Sequence, residues 1–312
     1  MKLRSLIFIA LLLVGSGLTT ESFAQANDTD LLEAAAGGNA GMVTTLLQLN
    51  ANPNVADSLG YTAIMYAAQL GFVDVIGVLA DAGADVNVVS SEGWTALLLS
   101  ALEGQAAAAT ELLARGADPA LTFTGGFTAL MVAAARGHAE AVEALVQGGM
   151  PIDATLSDGR TALMAASESG HVEVVRALIE NGADVNAQAN GGNTAAMSAV
   201  RNEHVEVQKV LAEAGAVFLG GLIQDLPANP QCPRPQWPES VWEIELEGQV
   251  VVEFIVDREG ETEDSTVTIV STPHDDLVEA ATEMFRGCTF DPGKIDGTPV
   301  RVRLRQGLGL GG

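Results

Sequence analysis

Three histidines, His138, His171 and His204, stand 33 residues apart, and a repeated imidazole is the first place to look for a metal. Zinc needs its ligands to converge on one ion at N–Zn distances near ~2.1 Å. Equivalent positions on stacked helices lie ~10 Å apart, so these rings cannot share an ion and are predicted to hydrogen-bond to the adjacent turn. No Gly-rich phosphate loop, Ser-His-Asp constellation or metal-ligand cluster appears elsewhere in the 312 residues. The sequence offers no catalytic residues, no metal site and no cofactor, and an enzyme is not expected. Two cysteines remain, Cys232 and Cys288, without a CxxC motif. An even count in an exported chain favours one disulfide, here closing a loop of about 55 residues and worth ~4 kcal/mol in the chain-entropy model.

Export is read from the first residues. Lys2 and Arg4 form a short basic region, Leu6 to Val14 is an unbroken apolar run, and Gly15 to Thr20 is small and polar. This is the order of a secretory signal peptide, with cleavage expected after Ala24 or Ala26. The apolar run is short for a spanning helix, which needs ~20 mostly apolar residues. Removing residues 1–24 changes the formal net charge from −25 to −26. Such a surface repels phosphate backbones and anionic lipid, which disfavours nucleic-acid binding. A periplasmic or secreted location follows, without stable membrane insertion after cleavage.

The elements that position these residues are set by a repeat. Thr62-Ala63-Ile64-Met65, Thr95-Ala96-Leu97-Leu98, Thr128-Ala129-Leu130-Met131, Thr161-Ala162-Leu163-Met164 and Thr194-Ala195-Ala196-Met197 recur every 33 residues, and one step back lands on Thr29. A Gly stands two residues before each clear Thr, another nine residues after it at Gly71, Gly104, Gly137 and Gly170, and Gly-Ala-Asp recurs at residues 83, 116 and 182. Each Thr is a good N-cap for a short helix, the mid-repeat Gly ends that helix in a left-handed conformation, and a second amphipathic helix follows. Asn50-Ala51-Asn52 replaces Gly-Ala-Asp in the first unit and Glu203 replaces the mid-repeat Gly in the last, as atypical end repeats do.

These units resemble the ankyrin repeat, over about residues 29–216, with Ala in place of the usual Pro and Met or Leu in place of the usual His. The resemblance implies an α-solenoid of six ankyrin repeats at 27–217, binding other proteins through a concave face of turn tips and first helices. Carried over by position, the tip residues before each Thr are Tyr61, Trp94, Phe127, Arg160 and Asn193, and the first-helix positions beside them include Gln69, Leu70, Leu102, Glu103 and Arg136. The candidate protein-binding set is therefore Leu59, Tyr61, Gln69, Leu70, Trp94, Leu102, Phe127 and Arg136. The chain has only 14 aromatic residues, so three at one register point to a hot spot rather than to chance. The competing expectation is that each ring lies flat on its neighbouring turn and only stiffens the array.

Periodicity stops near Val217. Residues 218–232 read as a Pro-rich linker, and residues 233–308 as a small α+β domain of order ββαβ. Its strands are expected at 249–257, 265–271 and 299–304, with a helix at 275–286. Trp237-Pro238, Gly248, the Val-x-Phe-x-Val strand, Asp257 with Gly260, Phe290-Asp291-Pro292 and Gly297-Thr298-Pro299-Val300 make this part resemble the C-terminal domain of TonB-family transducers. That resemblance implies contact with an outer-membrane protein by addition of a strand to a sheet edge. A full transducer also keeps an uncleaved anchor with a His and a long Pro-rich spacer; here the first apolar segment lacks His and the Pro-rich stretch covers only about a dozen residues, short for such a spacer. The leading expectation is thus a periplasmic adaptor with protein partners, possible envelope proteins among them. The alternative is a TonB-like transducer that retains its N-terminal anchor.

Overall fold

The computed structural model describes residues 20–220, 225–236 and 248–310. The signal segment expected at 1–24 lies outside the described residues up to position 19, as does the Trp237-Pro238 pair. The chain divides into two compact units, Met1–Leu156 and Ser157–Gly312.

The first unit holds four helical hairpins: α1 (Thr20–Ala36) with α2 (Ala40–Gln48), α3 (Ala63–Leu70) with α4 (Val73–Asp81), α5 (Ala96–Leu102) with α6 (Ala106–Ala114), and α7 (Ala129–Arg136) with α8 (Ala139–Gln147). First helices stack on first helices and second on second, as in α3–α5–α7 and α4–α6–α8. The local causes are those in the sequence. The Oγ1 atoms of Thr95 and Thr128 accept the N–H groups of Leu98 and Met131, capping α5 and α7. Gly71 and Gly137, at φ of 78° and 82°, end α3 and α7 in the left-handed region that L side chains avoid. Thr62 differs, because its buried Oγ1 has no partner.

Small residues make the stacking close. Ala63, Ala67 and Ala68 of α3 and Ala96 and Ala101 of α5 are fully buried, as are Val75, Ile76 and Leu79 of α4. Burying a Val, Leu or Ile side chain contributes ~1.5–3 kcal/mol, so each hairpin holds only by covering its neighbour. An Asn ladder stitches the turns at the repeat spacing. The Asn54 side chain accepts the Asp85 N–H at 2.7 Å and donates to the Gly83 carbonyl, and Asn87 does the same for Asp118 and Gly116.

The second unit opens with two more hairpins, α9 (Ala162–Ser169) with α10 (Val172–Glu180) and α11 (Ala195–Arg201) with α12 (Val205–Glu213). Thr161 and Thr194 cap α9 and α11. A four-stranded sheet follows in the order β1-β8-β3-β4, formed by β1 (Val217–Leu219), β3 (Gly248–Val256), β4 (Thr268–Ser271) and β8 (Arg301–Leu310). Two small ladders accompany it: β2 (Ala228–Gln231) with β5 (Thr289–Asp291), and β6 (Lys294–Ile295) with β7 (Thr298–Pro299). Helix α13 (Leu277–Arg286) covers one face of the sheet, where Val250, Val252, Phe254 and Val256 meet Leu277, Ala281, Phe285 and Phe290.

Three differences from the expected layout have physical reasons. The second strand is shorter than 265–271, because residues Asp264–Thr266 form a 3-10 turn in which Thr266 Oγ1 accepts the Ile255 N–H in place of a ladder bond. The last strand runs six residues past Leu304, since pairing with β3 holds Gly307 and Gly309 extended. The stretch read as a linker carries two strands. Phe218 is 1% exposed, and β1 pairs in parallel with β8 over Val217–Arg301, Phe218–Val302 and Leu219–Arg303. Pro230 of β2 is tolerated because it is in an exposed, bulged edge strand.

The array's own stitch performs this junction. Asn186 holds the Val217 N–H at 2.9 Å and the Gly215 carbonyl at 3.2 Å, as Asn54 and Asn87 hold the next repeat in the first unit. What it grips here is the start of β1. Arg301 adds its Nη1 to the same Gly215 carbonyl at 2.7 Å while its other two nitrogens fork onto Glu263. Lys209 of α12 reaches Asp296 at 2.7 Å. Cys232 and Cys288 are joined in a disulfide, which ties the segment after β2 to the end of α13.

Candidate protein-binding surface

The eight residues singled out from the sequence all lie in the first unit, on its tips and first helices. Leu59 and Leu70 are 48% and 47% exposed, and Arg136 is exposed at the end of α7. Tyr61, Gln69, Trp94, Leu102 and Phe127 are half-buried.

The tip rings are pinned by the turns. Trp94 stacks on Phe123 of the next turn with ring centroids 4.0 Å apart and planes 23° apart. Tyr61 lies 5.8 Å from the Tyr66 ring and donates its hydroxyl to Glu92 at 3.1 Å. Phe127 closes its own tip, where the Phe123 N–H donates to the Phe127 carbonyl at 2.9 Å. The backbone beneath is tied across repeats: the Ser91 N–H and hydroxyl both donate to the Leu59 carbonyl. Trp94 thus packs on a neighbouring turn, Tyr61 is held by Tyr66 and Glu92, and all three tip residues are half-buried.

Two residues that the sequence reading passed over complete this cluster. Tyr66 donates its hydroxyl to Asp57 Oδ2 at 2.7 Å, and Asp57 also accepts the Leu59 and Tyr61 N–H groups. Partial burial pushes the Asp57 carboxyl up, but the Tyr66 hydroxyl and the backbone N–H groups outweigh it and hold the group below the usual carboxylate range. Burial, reinforced by the bond to Glu92, pushes the Tyr61 hydroxyl up to about 12. Both groups keep the charge state that closes the turn, which fixes the rings before any partner arrives. The signal for Asp57 was present as an Asx turn motif, Asp57-Ser58-Leu59-Gly60, but its link to Tyr66 depends on the tip folding over α3.

A second groove lies in the other unit, lined by Arg160, Met164, Glu168, Asn190, Asn193 and Arg201. Arg160 pairs with Asp158 at 2.7 Å, and Arg201 donates to the Asn193 side chain at 3.1 Å. Glu168 and Arg201 occupy the register of Gln69 and Leu102, so the repeat itself could have found them. Two of the three repeat histidines serve the stack: His138 Nε2 bonds the Leu102 carbonyl and His204 Nε2 the Glu168 carbonyl, each at 3.0 Å. Among the described residues, no group of three or more His, Cys, Asp or Glu side chains is arranged to hold a metal ion, and no helix is long and apolar enough to cross a membrane.

Tips stitched at a 33-residue spacing over stacked helical hairpins have a known counterpart. A family model of ankyrin repeats matches in three copies, at residues 31–123, 110–189 and 130–219. The chain belongs to the ankyrin-repeat family. Its similarity to the crystal structure of the human ASB11 ankyrin repeat domain is 30% in sequence identity with a TM-score of 0.55, covering 60% of this chain and 83% of that one. A second family model, Gram-negative bacterial TonB protein C-terminal, matches residues 233–307. No curated protein matches the chain. An ankyrin array joined to a TonB C-terminal domain is a pairing of two non-catalytic interaction modules.

Proposed function

We propose that this ankyrin-repeat protein is a periplasmic adaptor whose six-repeat array grips one protein partner through its concave face while the TonB-like domain contacts a second, an envelope protein. The observation that carries this reading is the pinned ring of Trp94, stacked on Phe123 at 4.0 Å and half-buried, in the same unit as the exposed Leu59 and Leu70. Rigid aromatics beside exposed aliphatic groups are the composition of a binding hot spot, because little entropy remains to be lost on association. The array also enters the C-terminal sheet directly: α12 ends at Glu213 and β1 begins at Val217. That leaves no spacer between them of the length a transducer uses, and it favours the adaptor over energy transduction. Export with cleavage after Ala24 or Ala26 belongs to the same proposal, and a mature N-terminus at Gln25 or Asn27, read by terminal sequencing, is the expected result.

The test is a triple substitution, Tyr61→Ala with Trp94→Ala and Phe127→Ala, assayed for partner capture by cross-linking in intact cells from a probe beside Trp94. The expected result is loss of capture with a small drop in melting temperature. A protein that melts far lower while capture per folded molecule is unchanged would reduce the rings to packing groups.

A further inference from the structure

We infer that the partner segment gripped by the first four hairpins is basic, with Lys or Arg side chains interleaved with apolar ones. This inference rests on the tip face being a protein-binding surface, as proposed above. Its ground is the charge around the rings. Residues 27–156 hold fourteen Asp and Glu against two basic residues, Arg115 and Arg136. Arg115 is consumed within the array, bridged to Asp81 and Glu111. Two carboxylates stand among the tip and first-helix residues. Glu92 is exposed and touches the Tyr61 hydroxyl, and Glu103 is exposed and accepts from the Gln69 amide at 3.5 Å.

An aromatic ring flanked by a carboxylate is a site for a cation twice over. The ring face attracts an ammonium or guanidinium through its quadrupole, and the carboxylate pairs with the same group at the rim. An acidic or phosphate-bearing ligand would meet repulsion from the whole unit. A small metal ion is not the occupant, since the described carboxylates form no cluster of three. The apolar part of the occupant answers Leu59 and Leu70, which a purely basic segment would leave bare. Long-range attraction then speeds encounter, and the pinned rings set the off-rate.

The experiment selects ligands from a displayed library of random dodecapeptides on the immobilised mature chain, then measures the winners as synthetic peptides by fluorescence anisotropy. Enriched peptides are expected to carry a net charge of about +3 or more with apolar residues between the cations. Their affinity should fall about tenfold or more in a Glu92→Lys, Glu103→Lys variant and fall again as salt rises from about 50 to about 300 mM. The milder Glu92→Gln, Glu103→Gln variant keeps the hydrogen-bond acceptors and should lose affinity without loss of melting temperature. Neutral or acidic winners, no enrichment of basic sequences, or indifference to charge reversal each overturn the inference. Winners that are not basic yet are lost in Trp94→Ala would sink it while leaving the binding face standing. Winners of any charge that ignore Trp94→Ala and Tyr61→Ala would instead remove the binding face itself.

Discussion

Replacing Arg301 with Ala should unlock the joint between the last repeat and the sheet. In the folded chain, Arg301 donates to Glu263 through Nε and Nη2, both at 2.7 Å, and to the Gly215 carbonyl through Nη1 at 2.7 Å. The fork onto Glu263 holds the Arg301 guanidinium above its ordinary pKa against the opposing effect of burial. The two side chains are 25% and 24% exposed, so three-quarters of each is out of water. Removing one partner of a fully buried pair costs about 3–5 kcal/mol, because the other charge is left uncompensated. A hydrogen bond to a charged group is worth about 1.5–3 kcal/mol. With a quarter of the pair exposed and Gly215 still held by Asn186 at 3.2 Å, the expected loss is about 2–3 kcal/mol. Arg301→Lys should recover less than half of it, since an ammonium cannot reproduce the fork. Hydrogen exchange followed by mass spectrometry reads the effect where it acts, on the Val217–Leu219 amides of β1 and on α12. An Arg301→Ala protein that loses less than about 0.5 kcal/mol, or whose β1 amides exchange as before, would refute the account of the joint.

Three further outcomes are expected. Glu203 sits at φ 58° where other repeats place Gly, so Glu203→Gly should stabilise the protein by about 1 kcal/mol and raise its melting temperature by about 2–4 °C, checked by differential scanning calorimetry. The Tyr61 hydroxyl has its pKa raised to about 12 from 10.0, so the stabilisation it provides is complete below pH 10 and lost as pH rises through 12. Tyr61→Phe should flatten that alkaline fall, as followed by the melting temperature from pH 9 to about pH 12. The Cys232–Cys288 disulfide spans 56 residues and ends on the buried Cys288, so reduction should cost the C-terminal domain about 2–4 kcal/mol, and the oxidised, denatured chain should label no thiol.

The sequence by itself determined the hairpins, because their causes are local. Thr95 caps a helix three residues away, Gly137 ends one nine residues after Thr128, and the 33-residue register repeats both. It also determined where β3 and α13 lie, since the alternation of Val250, Val252 and Phe254 and the spacing of Leu277, Ala281 and Phe285 are read within single elements. It brought the tip residues to one register, and the structure divides them, with Tyr61, Trp94 and Phe127 in the first unit and Arg160 and Asn193 in the second. Only the tertiary structure decided what the rings do there. Whether Trp94 stacks on Phe123, or Tyr66 reaches Asp57, depends on how one turn folds over another element. Only it, too, decided the fate of the stretch read as a linker. Strand β1 exists because Val217–Leu219 meets Arg301–Arg303, 84 residues later, and a parallel pair between such distant segments leaves no mark on either one. A strand of three residues has no periodicity to detect. Its stability comes from burying Phe218 and from the Asn186 stitch, both supplied by elements that the local sequence does not contain.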